Sequence, residues 1–350
     1  MTTEITIALD AMGGANAPDM VLEGANLARQ RHPEVRFLMF GDTDRVTPLL
    51  QRFKALQGIS EVHHADDVVP DDMKPSVALR TARGSSMRVA INAVQEGRAA
   101  GVVSSGNTGA LMAMAKYVLK TLPGIERPSL ASFFPTMKGQ SVMLDLGANV
   151  DCDADNLVQF AVMGEAFART CFGLEHPTVG LLNVGAEDMK GHKEIRGALE
   201  ILRNIDLPMK FHGFIEGDDI AKGIVDVVVT DGFTGNIALK TAEGTARFFR
   251  HLLRQSFRDS NIARLGYLLA RPALQQIRVR TDPRRPGGAM LLGLNGITIK
   301  CHGGSDAFGF ANAISVAVDM VNNATNETIK TEFERLDLED LPKQQQVAAV

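Results

Sequence analysis

Six times along this chain a short apolar run, rich in β-branched residues, stops at a polar loop carrying glycine and re-enters as a helical stretch. The first unit is ITIALDAMGGANAPDMVLEGANLARQ, in which Ile5, Ile7, Ala8 and Leu9 end at Asp10, Gly13 and Gly14 follow, and Pro18 opens the helix. GVVSSGNTGALMAM after Ala99, SVMLDLGANVD with a helix from about Ala154, TVGLLNVGAEDMKGHKEIRGALEIL, VDVVVTDGFTGNIALKTAEG and GITIKCHGGSDAFGFANAISVAV repeat the arrangement. EVRFLMFGD and PMKFHGFI add strands. Strands that alternate with helices predict an α/β protein, a doubly wound, mostly parallel sheet flanked by helices. In such sheets the loops at the carboxyl ends of the strands gather on one edge, where ligands bind, so the six loops are expected to form one site. Residues 124–140 (GIERPSLASFFPTMKGQ) show no clear period and read as a connecting arm. Residues 1–326 are expected to form a single α/β/α domain, and 327–350, acidic and then KQQQVAAV, a disordered tail.

Composition removes several classes of function. A formal charge of −4 over 350 residues argues against a general nucleic-acid surface. No run of about 18 apolar residues predicts a membrane span, and no basic region followed by an apolar core opens the chain, so a cytoplasmic protein is expected. Cys152, Cys171 and Cys301 form no CxxC pair, which predicts neither a disulfide framework nor a structural metal site. The first loop has neither the three spaced glycines of a dinucleotide site nor the Gly-Lys-Ser/Thr of a P-loop, and no GxSxG is present. No cofactor is expected.

The loops carry small hydrogen-bonding side chains near helix starts: Ser105, Asn107, Thr108, Asn149, Asn236 and Ser305. Each could bind a ligand or serve as an ordinary N-cap. Lys190, in NVGAEDMKGHKE, precedes a helix expected from about Gly191 to Asn204, where a cation opposes the helix dipole. An anionic ligand would reconcile Lys190, His192 and Lys193 there; alternatively Glu187 and Asp188 satisfy the helix end. In DGFTGN, Thr234 reads as an N-cap and Asn236 falls in the first turn, able to donate to an oxyanion or to brace the loop. His302 precedes Gly303 and Gly304 and is either a hydrogen-bond donor or structural. Asp10, Asp145, Asp231 and Asp306 end strands; they could hold Mg²⁺, but such residues more often fix loop amides.

In order along the chain, DAMGGANAP, KPSVALRTARGSSM, SGNTGA, RPSLA, LDLGAN, NVGAEDMKG, TDGFTGN and HGGSDAFG resemble the acyl-acyl-carrier-protein:phosphate acyltransferases of bacterial phospholipid synthesis (the PlsX family), from about Ile5 to Val321. One departure is Ala15, where the family usually has an acidic residue. The resemblance implies a fold similar to that of isocitrate and isopropylmalate dehydrogenases and the phosphotransacetylases. It implies that inorganic phosphate attacks the thioester of a long-chain acyl carrier protein directly, giving acyl phosphate without an acyl-enzyme. Lys190 and Asn236 match positions needed for activity, and Asp10, Gly13, Gly14, Ser105, Asn107, Thr108, Asn149, His302, Gly303, Gly304 and Ser305 become the expected substrate and phosphate site. A homodimer, peripheral membrane association and hand-over to a membrane glycerol-3-phosphate acyltransferase are also implied. A dehydrogenase of the same fold, a short-chain phosphotransacetylase and a non-catalytic scaffold are the competing readings.

From Arg247 to Arg280 the chain has eight arginines and one acid, Asp259. Phe248, Phe249, Leu252, Leu253 and Phe257 share a helix face beside Arg250, Arg254 and Arg258. Ile262, Leu265, Leu268 and Leu269 form a second apolar stripe, which Pro272 is expected to end. A basic amphipathic hairpin at about 246–275 is expected, suited to an anionic membrane surface or to an acidic carrier protein through Arg250, Leu253, Arg254, Arg258, Leu265 and Leu268. The alternative is that both stripes pack into the core or a dimer interface.

Overall fold

A computed structural model describes residues 4–336 apart from 206, 259 and 283. The strands are β1 (Ile5–Asp10), β2 (Val35–Gly41), β3 (Ser60–His64), β4 (Gly101–Ser104), β5 (Ser129–Thr136), β6 (Gly139–Leu144), β7 (Thr178–Leu182), β8 (Lys210–Ile215), β9 (Val227–Val229), β10 (Ala289–Leu292) and β11 (Ile297–Lys300). The first helices are α1 (Asp19–Arg31), α2 (Thr43–Leu50), α3 (Pro75–Thr81), α4 (Ser86–Gln95), α5 (Thr108–Leu119) and α6 (Ala154–Phe172). After them come α7 (Lys193–Asn204), α8 (Gly217–Lys222), α9 (Gly232–Ser256), α10 (Asn261–Arg280), α11 (Ala307–Asn322) and α12 (Thr325–Arg335). None of these helices is long and apolar enough to cross a membrane.

The strands form one sheet in the order β3-β2-β1-β4-β11-β10-β5-β6-β9-β7-β8. Two apolar layers cover its faces, one under α1, α6 and α11, the other under α4, α5 and the start of α9. The sheet is mixed and mostly parallel, as expected, but its two parallel halves run in opposite directions. β11 is parallel to β4, β10 is antiparallel to β11 and to β5, β5 is antiparallel to β6, and β9 and β7 follow β6. Residues 129–140, expected within a connecting arm, supply β5 and the start of β6, and the β5–β6 hairpin makes this reversal. The six loops therefore do not lie along one edge. They form two clusters, one after β1, β4 and β11, the other after β6, β9 and β7.

Register brings the clusters back toward each other. Met290 opposes Ile299 on one side and Ala131 on the other, so Lys300, ending the first half, lies level with Ser132. Asp145, ending the second half, accepts the Leu130 amide. Two residues of strand, about 7 Å, and three strand spacings, about 14 Å, separate the two ends.

Order extends past the expected end of the domain. α12 packs against α6 and buries Ile329 and Phe333, so the disordered tail does not begin at 327; residues 337–350 lie outside the described residues. Buried Glu332 meets Arg169 of α6 at 2.5 Å, and Arg169 also donates to buried Glu165 at 2.9 Å. Burial outweighs Arg169 and pushes the Glu165 carboxyl up to about 7. Its contribution to stability is therefore lost as pH rises from the ordinary glutamate range through 7. Arg169→Met is expected to cost about 2 kcal/mol, below the usual loss for a broken buried pair because Glu165 can take up a proton. Thermal melts should show a larger loss at pH 8 than at pH 5.5, and equal losses would refute the protonation argument.

Candidate active site

In the first cluster Asp10 is the hub. Its buried carboxylate accepts the Ser86 and Ser104 hydroxyls, both at 2.6 Å, and the Met12 amide. Burial pushes its carboxyl up, and the two hydroxyls oppose that shift. Ser105 Oγ donates to the Gly13 carbonyl at 2.6 Å, and the Ala15 amide donates to the Gly303 carbonyl at 3.0 Å. The Asn16 side chain reaches the Ser305 carbonyl, which ties the loop after β11 to the same cluster. Asn107 caps α5 through Ala110 and donates to the carbonyls of Pro70, Asp71 and Met73. Thr108 and His302 are exposed at the rim; His302 Nδ1 accepts the Gly304 amide.

The second cluster turns on Asp145. It accepts the amides of Leu130, Gly147, Ala148 and Asn149 and the Asn149 side chain, which also donates to the Pro128 carbonyl. The α9 start is pressed into this loop: a Cβ on Gly235 would lie 1.9 Å from the Asp145 carbonyl oxygen. Gly147, at φ +122°, brings its backbone under Asn236, which is exposed and makes no side-chain hydrogen bond among the described residues. The cap of α9 is Asp231, not Thr234, so Asn236 begins the second turn. Lys190 lies one strand further out and is exposed; its carbonyl accepts from Asn183. α7 begins at Lys193 with no side-chain cap, and Asp188 pairs with Arg203 instead.

Side-chain commitments divide the expected residues. Asp10, Ser105, Asn107 and Asn149 shape and clasp loops, and Asp231 and Asp306 cap α9 and α11. Thr108, His302, Lys190 and Asn236 remain open to a ligand, as do the amides of Gly14 and Gly303, for which no acceptor is seen among the described residues. The Cys152 and Cys171 thiols are pushed up to about 12 and the Cys301 thiol upward, in each case chiefly by burial. None is activated as a nucleophile.

One cation escaped the sequence reading. Lys300 ends β11 with only 8% of its surface exposed, and its ammonium donates to the carbonyls of Cys301 and, at 3.5 Å, Ser105. No carboxylate pairs with it among the described residues, and burial pushes its pKa down. Alternation along ITIK is the signal that was available: Ile297 and Ile299 enter one apolar layer, which turns Lys300 to the other face. Ala238 and Leu239 of α9 pack on that face, and the charge of Lys240 is felt at Lys300. Asn236 and Lys240, four residues apart, share the side of α9 turned toward Lys300. The two clusters thus look onto the same stretch of sheet around β10 and β5.

Residues 5–328 match the family described as fatty acid synthesis protein. A phosphate acyltransferase of Rhodospirillum centenum is 62% identical over 336 residues, covering 96% of this chain and 95% of that one. The phosphate acyltransferase of Paramagnetospirillum magneticum is 58% identical over 336 residues, 96% of each chain. The chain belongs to this family, the PlsX-type phosphate acyltransferases. The chain is therefore an acyl-transferring enzyme. A phosphotransacetylase from Streptococcus pyogenes superposes with a TM-score of 0.57 over 95% of both chains at 18% identity. A branched-chain phosphotransacylase from Enterococcus faecalis gives 0.57 over 91% of this chain and 99% of that one at 13% identity. At these identities the likeness establishes the shared α/β fold.

Proposed function

We propose that this chain transfers a long-chain acyl group from acyl carrier protein to inorganic phosphate by direct attack. The observation that carries the reading is Lys300, a buried cation with no carboxylate paired to it among the described residues, set among loops that present free amides and next to the protonated Cys301 thiol. A site built this way holds an anion rather than forming an acyl-enzyme. A phosphate oxygen attacks the thioester carbonyl carbon, the carbonyl oxygen becomes negative, and the carbon–sulfur bond then breaks. The carbonyl re-forms, the electron pair leaves on sulfur, and the proton given up by the attacking hydrogen phosphate ends on that sulfur as the free carrier thiol. Lys300 and the Gly14 and Gly303 amides hold the phosphate, with Thr108 and His302 at the rim. Asn236 donates to the developing oxyanion, and Lys190 adds positive potential. Asp10, Gly13, Ser105, Asn107, Asn149, Gly304 and Ser305 hold the loops in shape. No metal or cofactor takes part in this scheme. A cytoplasmic homodimer at the membrane surface, feeding acyl phosphate to a membrane glycerol-3-phosphate acyltransferase, fits the product's reactivity.

The deciding assay is phosphate-dependent release of carrier thiol from palmitoyl carrier protein, run beside acetyl-CoA. Release from acetyl-CoA alone would make the chain a short-chain phosphotransacetylase, and release from neither would favour a scaffold. Two further results are expected. Cys152→Ala, Cys171→Ala and Cys301→Ala should each keep substantial activity, and EDTA should do little; trapping an acylated side chain with labelled substrate would refute direct attack. Lys300→Met should raise the phosphate KM at least about tenfold, the usual scale for a lost hydrogen bond to a charged group. An unchanged phosphate KM would make Lys300 a structural clip.

A further inference from the structure

Apart from Ser86, which donates to Asp10, the segment KPSVALRTARGSSM has no part in the site described above. It folds into α3, a tight turn and the start of α4, with α5 packed against both helices. Between them lies a cavity of about 250 Å³ lined by Leu79, Arg80, Arg83, Arg88 and Tyr117. None of the three arginines pairs with a carboxylate among the described residues; the neighbouring ion pairs along the chain are His64 with Asp66 and Arg98 with Glu96. Asp66 and Asp67 approach Gly84 without reaching a guanidinium.

Two of the three guanidiniums are held in place. Arg80 Nε donates to the Ser76 carbonyl and Arg88 Nε to Asn92 Oδ1, both at 3.1 Å, which leaves the terminal nitrogens of each without an acceptor among the described residues. Arg88 also lies 5.2 Å from the centre of the Tyr117 ring, and Lys120 lies 4.7 Å from the same ring. Like charges held together in a net acidic protein repel unless an anion joins them. Oriented forks of terminal N–H groups match the oxygens of a phosphate ester.

The position of the cavity identifies which phosphate. Asn107, clasping the carbonyls of Pro70, Asp71 and Met73, ties the approach to α3 to the start of α5, where Thr108 borders the first loop cluster. Tyr117 lies nine residues further along α5, about 13 Å away. An anion in the cavity therefore sits at a distance from the reacting phosphate, where a flexible arm could join the two. We propose that the arginine cavity binds the phosphodiester of the carrier protein's phosphopantetheine arm, whose thioester end reaches the loops. This rests on the carrier-dependent function proposed above.

Substrate truncation tests it. Arg80→Gln and Arg83→Gln, at exposed positions, should leave the melting temperature unchanged. Each should raise the KM for palmitoyl-phosphopantetheine about tenfold or more, with little change in kcat. The KM for palmitoyl-pantetheine, which lacks the phosphate, should not move, and wild-type protein should prefer the phosphorylated arm. A rise in the KM for inorganic phosphate instead would place the free nucleophile in the cavity. A loss seen with the intact carrier but not with palmitoyl-phosphopantetheine would make the cavity a contact for the carrier's acidic surface. Either result overturns the assignment. Phosphopantetheine binding, measured calorimetrically without turnover, should weaken in the same variants. If wild-type protein binds the arm but transfers no acyl group to phosphate, the proposed reaction fails while this site stands.

Discussion

Asn236→Ala is expected to lower kcat by roughly 10²–10³-fold, the cost of losing one well-placed oxyanion donor, about 2.7–4 kcal/mol, and Lys190→Ala to lower kcat far more than stability by removing positive potential from the developing charge. Neither side chain is needed by the fold. Asn236 is exposed and makes no side-chain hydrogen bond among the described residues, while its backbone is fixed by the close seat of Gly235 on Asp145. Lys190 is exposed, and only its backbone amide and carbonyl hold the loop, through Glu187 and Asn183. Removing Lys190 also takes a cation from the approach to an uncapped helix, so Lys190→Ala should melt at or slightly above the wild-type temperature. The informative measurement is kcat at saturating phosphate beside a thermal melt of the same preparation. Near-normal turnover in either variant would remove that residue from the mechanism, and a matching loss of stability would reassign it to the loop.

That separation of chemistry from stability was only partly legible in the sequence. The repeating strand–loop–helix units were, because each couples a β-branched run to a glycine turn and a periodic helix, and such signals are local. Strand direction was not local. It depends on β5 and β6, and Pro135 makes β5 look unlike a strand. Proline is tolerated there because β10 covers β5 only from Ser129 to Ala131, so Pro135 pairs on one side alone, with Gln140. The helix at Thr325–Arg335 was hidden by its charge, although Ile329 and Phe333, four apart, mark its buried face. Polar loop residues were read as ligand contacts where Asp10, Ser105, Asn107 and Asn149 spend their hydrogen bonds on one another's loops. Sequence shows which groups can donate or accept, but only packing shows which are already satisfied. Lys300 is the converse case, a residue inside an apolar strand that stands out only once it is seen to be buried with no carboxylate paired to it among the described residues.

Leu265→Glu combined with Leu268→Glu is expected to abolish flotation with anionic liposomes while soluble acyl phosphate synthesis continues. α9 and α10 carry the basic stripes, and α10, from Asn261 to Arg280, buries no residue against the rest of the chain. Its apolar stripe therefore does not belong to this chain's core: Leu265 is 59% and Leu268 61% exposed. Pro272 does not end the helix as expected; α10 continues through it, and the carbonyl that loses its partner, on exposed Leu268, is open to water. Arg250 and Arg264 lean on the backbone at Thr281 and Arg258, and Phe257 meets Tyr267 edge-on, which closes the turn between the helices. Burying a leucine in a lipid interface contributes roughly 1.5–3 kcal/mol. Each arginine near an anionic surface adds about 1 kcal/mol. Two glutamates would forfeit the first term and oppose the second, enough to weaken binding by roughly three orders of magnitude. The arginine contribution should also make wild-type flotation fall as salt rises. Persistent flotation of the double variant would show that the hairpin is not the anchor. Dissociation of a dimer without loss of flotation would assign the apolar stripe to the interface between copies.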